Sequence, residues 1–283
     1  MRPFRLLPTA LVALTALLVV ARAAPGPLRE EHNLSYLEGA ALASADAYRA
    51  TQCRLDLRLP AEPGFPTLIW FHGGGLTGGQ RAFPDLKGSG IGLVAVSYRL
   101  SPAADHPAYL EDAAAAVAWT LRHIAERGGD PTKVFVAGHS AGGYLAALVG
   151  MDPRWLAPHG RHPRELAGLI LVSAQVSTHF LVKKLRGDTG PELRPIIDDF
   201  APLYHVAQDL PPLCCVLGDR RIEYKNRVEE NDLFVTSLRN LGHPFVEFHE
   251  MGGLDHGTVV DGAAVLMPAF IRRVLAARPA PAN

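Results

Sequence analysis

Short, almost continuous apolar runs alternate with longer Ala- and Leu-rich stretches along most of the chain. Thr67 to Phe71, Gly92 to Tyr98, Lys133 to Ala137, Leu169 to Ser173 and Leu213 to Leu217 read as strands buried on both faces, and Phe245 to His249 reads as the last strand. Cys53 to Leu59 instead alternates polar and apolar residues and stops at Pro60, the pattern of an early strand with one wet face. Between the runs, Tyr109 to Arg127, Tyr144 to Val149, Arg227 to Leu241 and Thr258 to Ala277 carry helical patterns. This alternation predicts an α/β protein with a mainly parallel sheet and helices on both faces. Two segments rich in Pro, Arg and mixed charge, 152–164 and 178–205, break the rhythm and read as inserts, either surface loops or a small cap over a site.

The N-terminus stands apart from this pattern. Arg2 and Arg5 precede the apolar run Leu11 to Val20, which ends in Ala21-Arg22-Ala23-Ala24, the layout of a secretory signal peptide over residues 1–23. The alternative, an uncleaved anchor, fits less well because the run is short and Pro8 interrupts its approach. The expectation is an exported protein, periplasmic or extracellular, with residues 24–283 forming one domain and no stable membrane partner after cleavage.

Charge and cysteine content narrow the chemistry. In 283 residues, 28 Lys and Arg balance 28 Asp and Glu, so no electrostatic footprint for nucleic acid is present. Three cysteines, with Cys214 and Cys215 adjacent, spell no disulfide framework, and the 12 histidines show no metal-ligand spacing. Buried free thiols and no metal site are expected.

Three motifs carry chemistry. The run Val134 to Ala137 leads into Gly138-His139-Ser140-Ala141-Gly142-Gly143, a G-x-S-x-G between a strand and a helix. Such a turn holds the serine hydroxyl proud of a strained backbone, and side chains two residues to either side would collide, hence Gly138 and Gly142. The second motif, His72-Gly73-Gly74-Gly75, also ends an apolar strand. Its glycines leave backbone N–H groups unshielded, and with the N–H of Ala141 these are candidate donors to an oxyanion. No Lys-Ser/Thr follows, so a nucleotide-binding loop is disfavoured, and His72 reads as a residue holding the loop. The third is Gly252 to Gly257, after the last strand, where His256 is the candidate base ahead of His243 and His249. Its orienting carboxylate belongs after the strand Leu213 to Leu217, where Asp219 and Glu223 both stand.

These motifs, in the order Ser, acid, His, resemble the α/β-hydrolase superfamily, and within it the hormone-sensitive-lipase-like and small bacterial carboxylesterase branch. Tyr98-Arg99-Leu100-Ser101-Pro102 and Phe200-Ala201-Pro202-Leu203 extend the likeness over nearly the whole chain beyond the leader. The resemblance implies an α/β-hydrolase fold with about eight strands and small cap inserts. It also implies Ser140 as nucleophile, His256 as base, and Gly73, Gly74 and Ala141 as oxyanion donors, with no cofactor.

The departure is at the acid, because the family's position three residues after the strand-end Gly holds Arg221. Counting back nineteen residues from Gly242 instead reaches Glu223, so Glu223 is preferred and Asp219 is the alternative. The expected activity is hydrolysis of small, polar or polysaccharide-linked esters of acetyl, short-acyl or feruloyl type. Arylformamide or peptide hydrolysis on the same fold, and an inactive hydrolase-fold binding module, are the rival readings.

Overall fold

The computed structural model describes residues 27–86 and 88–278, so the signal-peptide reading and the Pro-rich tail lie outside the described residues. Eight strands form one sheet in the order β1-β2-β4-β3-β5-β6-β7-β8. They are β1 (Leu28–Ser35), β2 (Arg54–Pro60), β3 (Phe65–Phe71), β4 (Gly92–Val96), β5 (Gly129–His139), β6 (Gly168–Val172), β7 (Leu213–Gly218) and β8 (Val246–Met251). β1 and β2 run antiparallel to their neighbours, and β4, β3, β5, β6, β7 and β8 are parallel.

The sequence pattern did not disclose β1. Its residues LREEHNLS are mostly exposed, since this edge strand pairs only with β2, and an edge needs no apolar run. β2 shows the expected wet face, with Leu55, Leu57 and Leu59 buried and the residues between them half-buried. β5 starts at Gly129, before the apolar run that announces it.

The helices are α1 (Gly39–Ala43), α2 (Ala47–Gln52), α3 (Ala108–His123), α4 (Ala141–Met151), α5 (Pro153–Leu156), α6 (Phe180–Leu185), α7 (Arg227–Asn240) and α8 (Val259–Ala277). Strand side chains alternate between two cores. Leu169, Leu171, Leu213, Cys215 and Leu217 face one core with α3, α4 and α7, while Ile170, Val172, Cys214 and Val216 face another with α8. Every residue of α4 is buried, which is why it reads as apolar all round. Among the described residues no helix is long and apolar enough to cross a membrane.

The insert 152–164 folds as α5 and two single 3-10 turns under the end of α4. The insert 178–205 is α6, a long loop and a 3-10 turn at Pro202–His205. Buried Lys183 organises that loop by donating from Nζ to the carbonyls of Pro191 at 2.9 Å and Arg194 at 2.7 Å.

Candidate active site

Parallel register brings three strand ends level. The Ser140 N–H donates to the Val172 carbonyl and the Ser173 N–H to the Val216 carbonyl, both at 2.8 Å, so the residues that follow β5, β6 and β7 share one edge. Carboxyl ends of parallel strands are where open α/β sheets hold their ligands.

Ser140 sits between β5 and α4 with φ 54° and ψ −117°, a conformation side-chain-bearing residues rarely adopt. The glycines around it are sterically required: a Cβ on Gly138 would meet Gly142 backbone at 2.4 Å, and one on Gly142 would meet the Phe71 carbonyl oxygen at 2.1 Å. The elbow is thus pressed against the end of β3. Ala141 opens α4, so its N–H has no intrahelical acceptor.

His256 reaches Ser140 from the loop after β8, with Nε2 2.9 Å from Ser140 Oγ. Asp255 shapes this loop by accepting from the Gly257 and Thr258 N–H groups at 3.0 and 2.8 Å. On its far side His256 Nδ1 lies 2.6 Å from Glu223 Oε1. A proton on Nδ1, donated to the carboxylate, leaves Nε2 to accept from the serine hydroxyl.

Glu223 is buried and fully bonded. Its Oε2 accepts from Ser173 Oγ at 2.8 Å and the Gly218 N–H at 2.9 Å, and its Oε1 accepts from the Tyr224 N–H at 2.7 Å. Burial pushes its pKa up, but the hydrogen bonds from His256, Tyr224 and Ser173 outweigh that and bring it down to about 2.

Asp219, the alternative acid, does not touch His256. It forms an ion pair with Arg221 and accepts from the Gly253 N–H at 2.9 Å, tying the turn after β7 to the loop that carries His256. Arg221 therefore stands in the family's acid position only as a surface partner of Asp219.

The loop after β3 closes the other side. A Cβ on Gly73 would lie 2.8 Å from His139 Nδ1 and 3.4 Å from Ser140 Cβ, so Gly73 backbone packs directly on the elbow. Gly74 takes φ +112°, open only to glycine, and its carbonyl accepts from the Thr77 and Gly78 N–H groups. His72 bonds the Gly73 carbonyl through Nδ1 at 2.6 Å and stacks on Tyr98 at 4.4 Å, so it braces the loop. Of the rival histidines, His243 bonds the Leu210 carbonyl and His249 pairs with Glu247.

Two residues at the site were not singled out from sequence. Ser173, at φ +46°, bridges Glu223 and lies 2.9 Å from His256 Nδ1. A polar residue closing a buried strand at its carboxyl end was its only signal. His139 donates from Nε2 to the His256 carbonyl at 2.7 Å, and burial followed by the charge of His256 lowers its pKa to about 4, so it stays neutral near pH 7. It lay hidden as the variable position of G-x-S-x-G.

A groove of about 720 Å³ opens over His256, walled by Tyr224, Ile222, Leu193 and Glu192. A second hollow of about 540 Å³ lies between α6 and the loop after it, with Phe180 on its edge toward Gly75. Among the described residues the one cluster with metal-ligand chemistry is Cys214, Glu247 and His249, mid-strand on β7 and β8, where Glu247 is ion-paired with Arg273. All three cysteines are buried and free, as expected.

This sheet, with its elbow after β5, is the α/β-hydrolase fold, and residues 68–192 match a family model described by that fold. The chain is 28% identical over 236 residues to the esterase LipC of Mycobacterium tuberculosis, across 72% of this chain and 56% of that protein. It is 39% identical over 95 residues to the carboxylesterase NlhH of the same species, 31% of this chain and 30% of that one. In structure it is similar to a truncated carbohydrate esterase from gut microbiota, with a TM-score of 0.70, 18% identity, and coverage of 87% of this chain and 96% of the other. The chain's likeness, over residues 68–192 to the family model and over 72% of its length to LipC, is to the hormone-sensitive-lipase-like carboxylesterases of the α/β-hydrolase superfamily. It spans little more than half the length of LipC.

Proposed function

We propose that this protein is a serine carboxylic-ester hydrolase acting on small or polar esters. The observation that carries the reading is the continuous hydrogen-bonded chain from Glu223 through His256 to Ser140. In that reading His256 Nε2 takes the Ser140 proton as Oγ attacks the ester carbonyl. The oxyanion is held by the N–H groups of Gly73, Gly74 and Ala141, aided by the N-terminus of α4. The protonated Nε2 then gives its proton to the departing alcohol oxygen, leaving an acyl-Ser140 ester. Water, deprotonated by the same nitrogen, releases the acid. Glu223 fixes the imidazole tautomer and balances its charge.

Substrate class rests on the insert 178–205. Lys183, Lys184, Arg186 and Asp188 make that insert polar, and three of them line the hollow beside α6, which favours short or polar acyl groups over long lipid chains. The structural likeness to a carbohydrate esterase supports sugar-linked acetyl or feruloyl esters among them. The N-terminal pattern supports export, and sequencing the N-terminus of the mature protein tests it. Pairing of Arg221 with Asp219 supports the hydrolase over the binding-module reading, because Glu223 is the acid that faces His256.

The test is turnover of p-nitrophenyl acetate through octanoate. The expected result is highest activity at acetate or butyrate and a loss of about 10⁵–10⁶ in kcat for Ser140→Ala. Inertness on every ester, with Ser140 refractory to an organophosphonate, would overturn the reading.

A further inference from the structure

Arg227, the first residue of α7, is only 4% exposed, yet among the described residues no hydrogen bond or ion pair reaches its guanidinium. Nη1 is fully shielded without a partner, and the Tyr224 ring lies 5.5 Å from Cζ. A buried guanidinium without partners is costly, and most are found fork-to-fork with carboxylates.

The acids around it are engaged elsewhere. Glu230 and Glu223 act on Arg227 only through space. The Glu230 carboxylate accepts from the Val176 and Ser177 N–H groups at 3.3 Å, and Glu223 holds His256. Glu192 accepts from the Tyr224 hydroxyl at 3.1 Å, and Arg194 is paired with Asp188. Beside Arg227 lies a cavity of about 10 Å³, room for one water-sized group. Its wall of Glu192, Leu193, Tyr224 and Lys225 is also the wall of the groove over His256. The unpaired cation thus stands one side-chain layer behind the reaction groove, next to Lys225, which forms no ion pair among the described residues.

We propose that Arg227 is an anion-recognition residue for a carboxylate borne by the ester itself, so that the preferred substrates are esters with a free acid group, such as half-esters of dicarboxylic acids. The cavity holds no more than a water-sized group, so a carboxylate lying in the groove reaches the guanidinium only as the shared Tyr224 and Lys225 side chains give way. Lys225, which lines both cavity and groove, supplies a second positive charge. This inference rests on the serine-esterase reading.

The experiment compares monoethyl glutarate with ethyl pentanoate by pH-stat, for the unaltered protein, Ser140→Ala, Arg227→Met and Arg227→Lys. The expected kcat/KM ratio favours the half-ester by about tenfold or more, the worth of one charge-assisted hydrogen bond. Arg227→Met should bring the ratio to about one, and Arg227→Lys, which keeps the charge and loses the fork, should fall between. If the unaltered protein hydrolyses ethyl pentanoate through Ser140 with no preference for the half-ester, this inference falls and the esterase reading stands. If both esters are inert, both fall. If Arg227→Met lowers both rates equally, Arg227 is an electrostatic counterweight to Glu223 and the inference falls. The preference of the unaltered protein decides the matter even should Arg227→Met not fold.

Discussion

The turn after β5 and the turn after β7 both deliver a side chain to the same site, but they are held in different ways. The first is fixed by main chain against main chain, with Gly138, Gly142 and Phe71 in contact where no Cβ fits. The second is assembled from side chains, with Asp219 bonded to Gly253, and Glu223 bonded to Gly218 and Ser173. A main-chain contact admits no added atom, so the elbow should fail as a unit. Separate hydrogen bonds can be removed singly, so the acid turn should weaken in steps.

The largest effect is expected at the elbow. Gly142→Ala drives a methyl group into the Phe71 and His72 carbonyls and should abolish soluble folded protein, read by expression yield and circular dichroism. A folded Gly142→Ala protein that hydrolyses p-nitrophenyl acetate would erase the contrast between the turns.

At the second turn, Glu223→Gln replaces an acceptor by an amide that disfavours the working tautomer of His256. It should cost about 10³–10⁴ in kcat on p-nitrophenyl acetate with the fold retained. Asp219→Asn removes a charge that only braces the loop. A loss of less than about tenfold in kcat and a Tm lower by about 2–4 °C are expected. The opposite order of these two variants would make Asp219 the acid.

A further expected effect is a shared dependence on acid. Burial holds the pKa of His139 at about 4 and that of His179 at about 3, against an ordinary 6.5. The unfolded chain therefore binds these protons first, and stability falls as pH drops from 6.5 toward 4. Glu223, lowered from 4.5 to about 2, adds a further loss only as pH falls below about 4.5. Urea midpoints at pH 7.5, 6, 5 and 4 should decline steadily, and a flat profile would contradict these assignments.

The elbow, the glycine loop and His256 were legible because each is a local pattern whose chemistry needs particular residue types at fixed spacing. The carboxylate that bonds His256 was half legible. Two carboxylates four residues apart fit one turn, and only long-range bonds to Ser173 and His256 separate Glu223 from Asp219. β1 escaped because a polar edge strand has no hydrophobic signature. Ser173, His139 and Arg227 escaped because their surroundings are assembled from distant segments, and nothing in their immediate neighbours records it.

The three cysteines have a practical consequence. Burial pushes the thiols of Cys53 and Cys215 up to about 12 and raises that of Cys214 as well, so none offers a thiolate to an alkylating reagent while the sheet is closed. Cys53 abuts β2 near one edge, and Cys214 and Cys215 lie in β7 near the other. Timed alkylation followed by peptide mass mapping would therefore read the opening of the two flanks separately, using reporters the chain already contains.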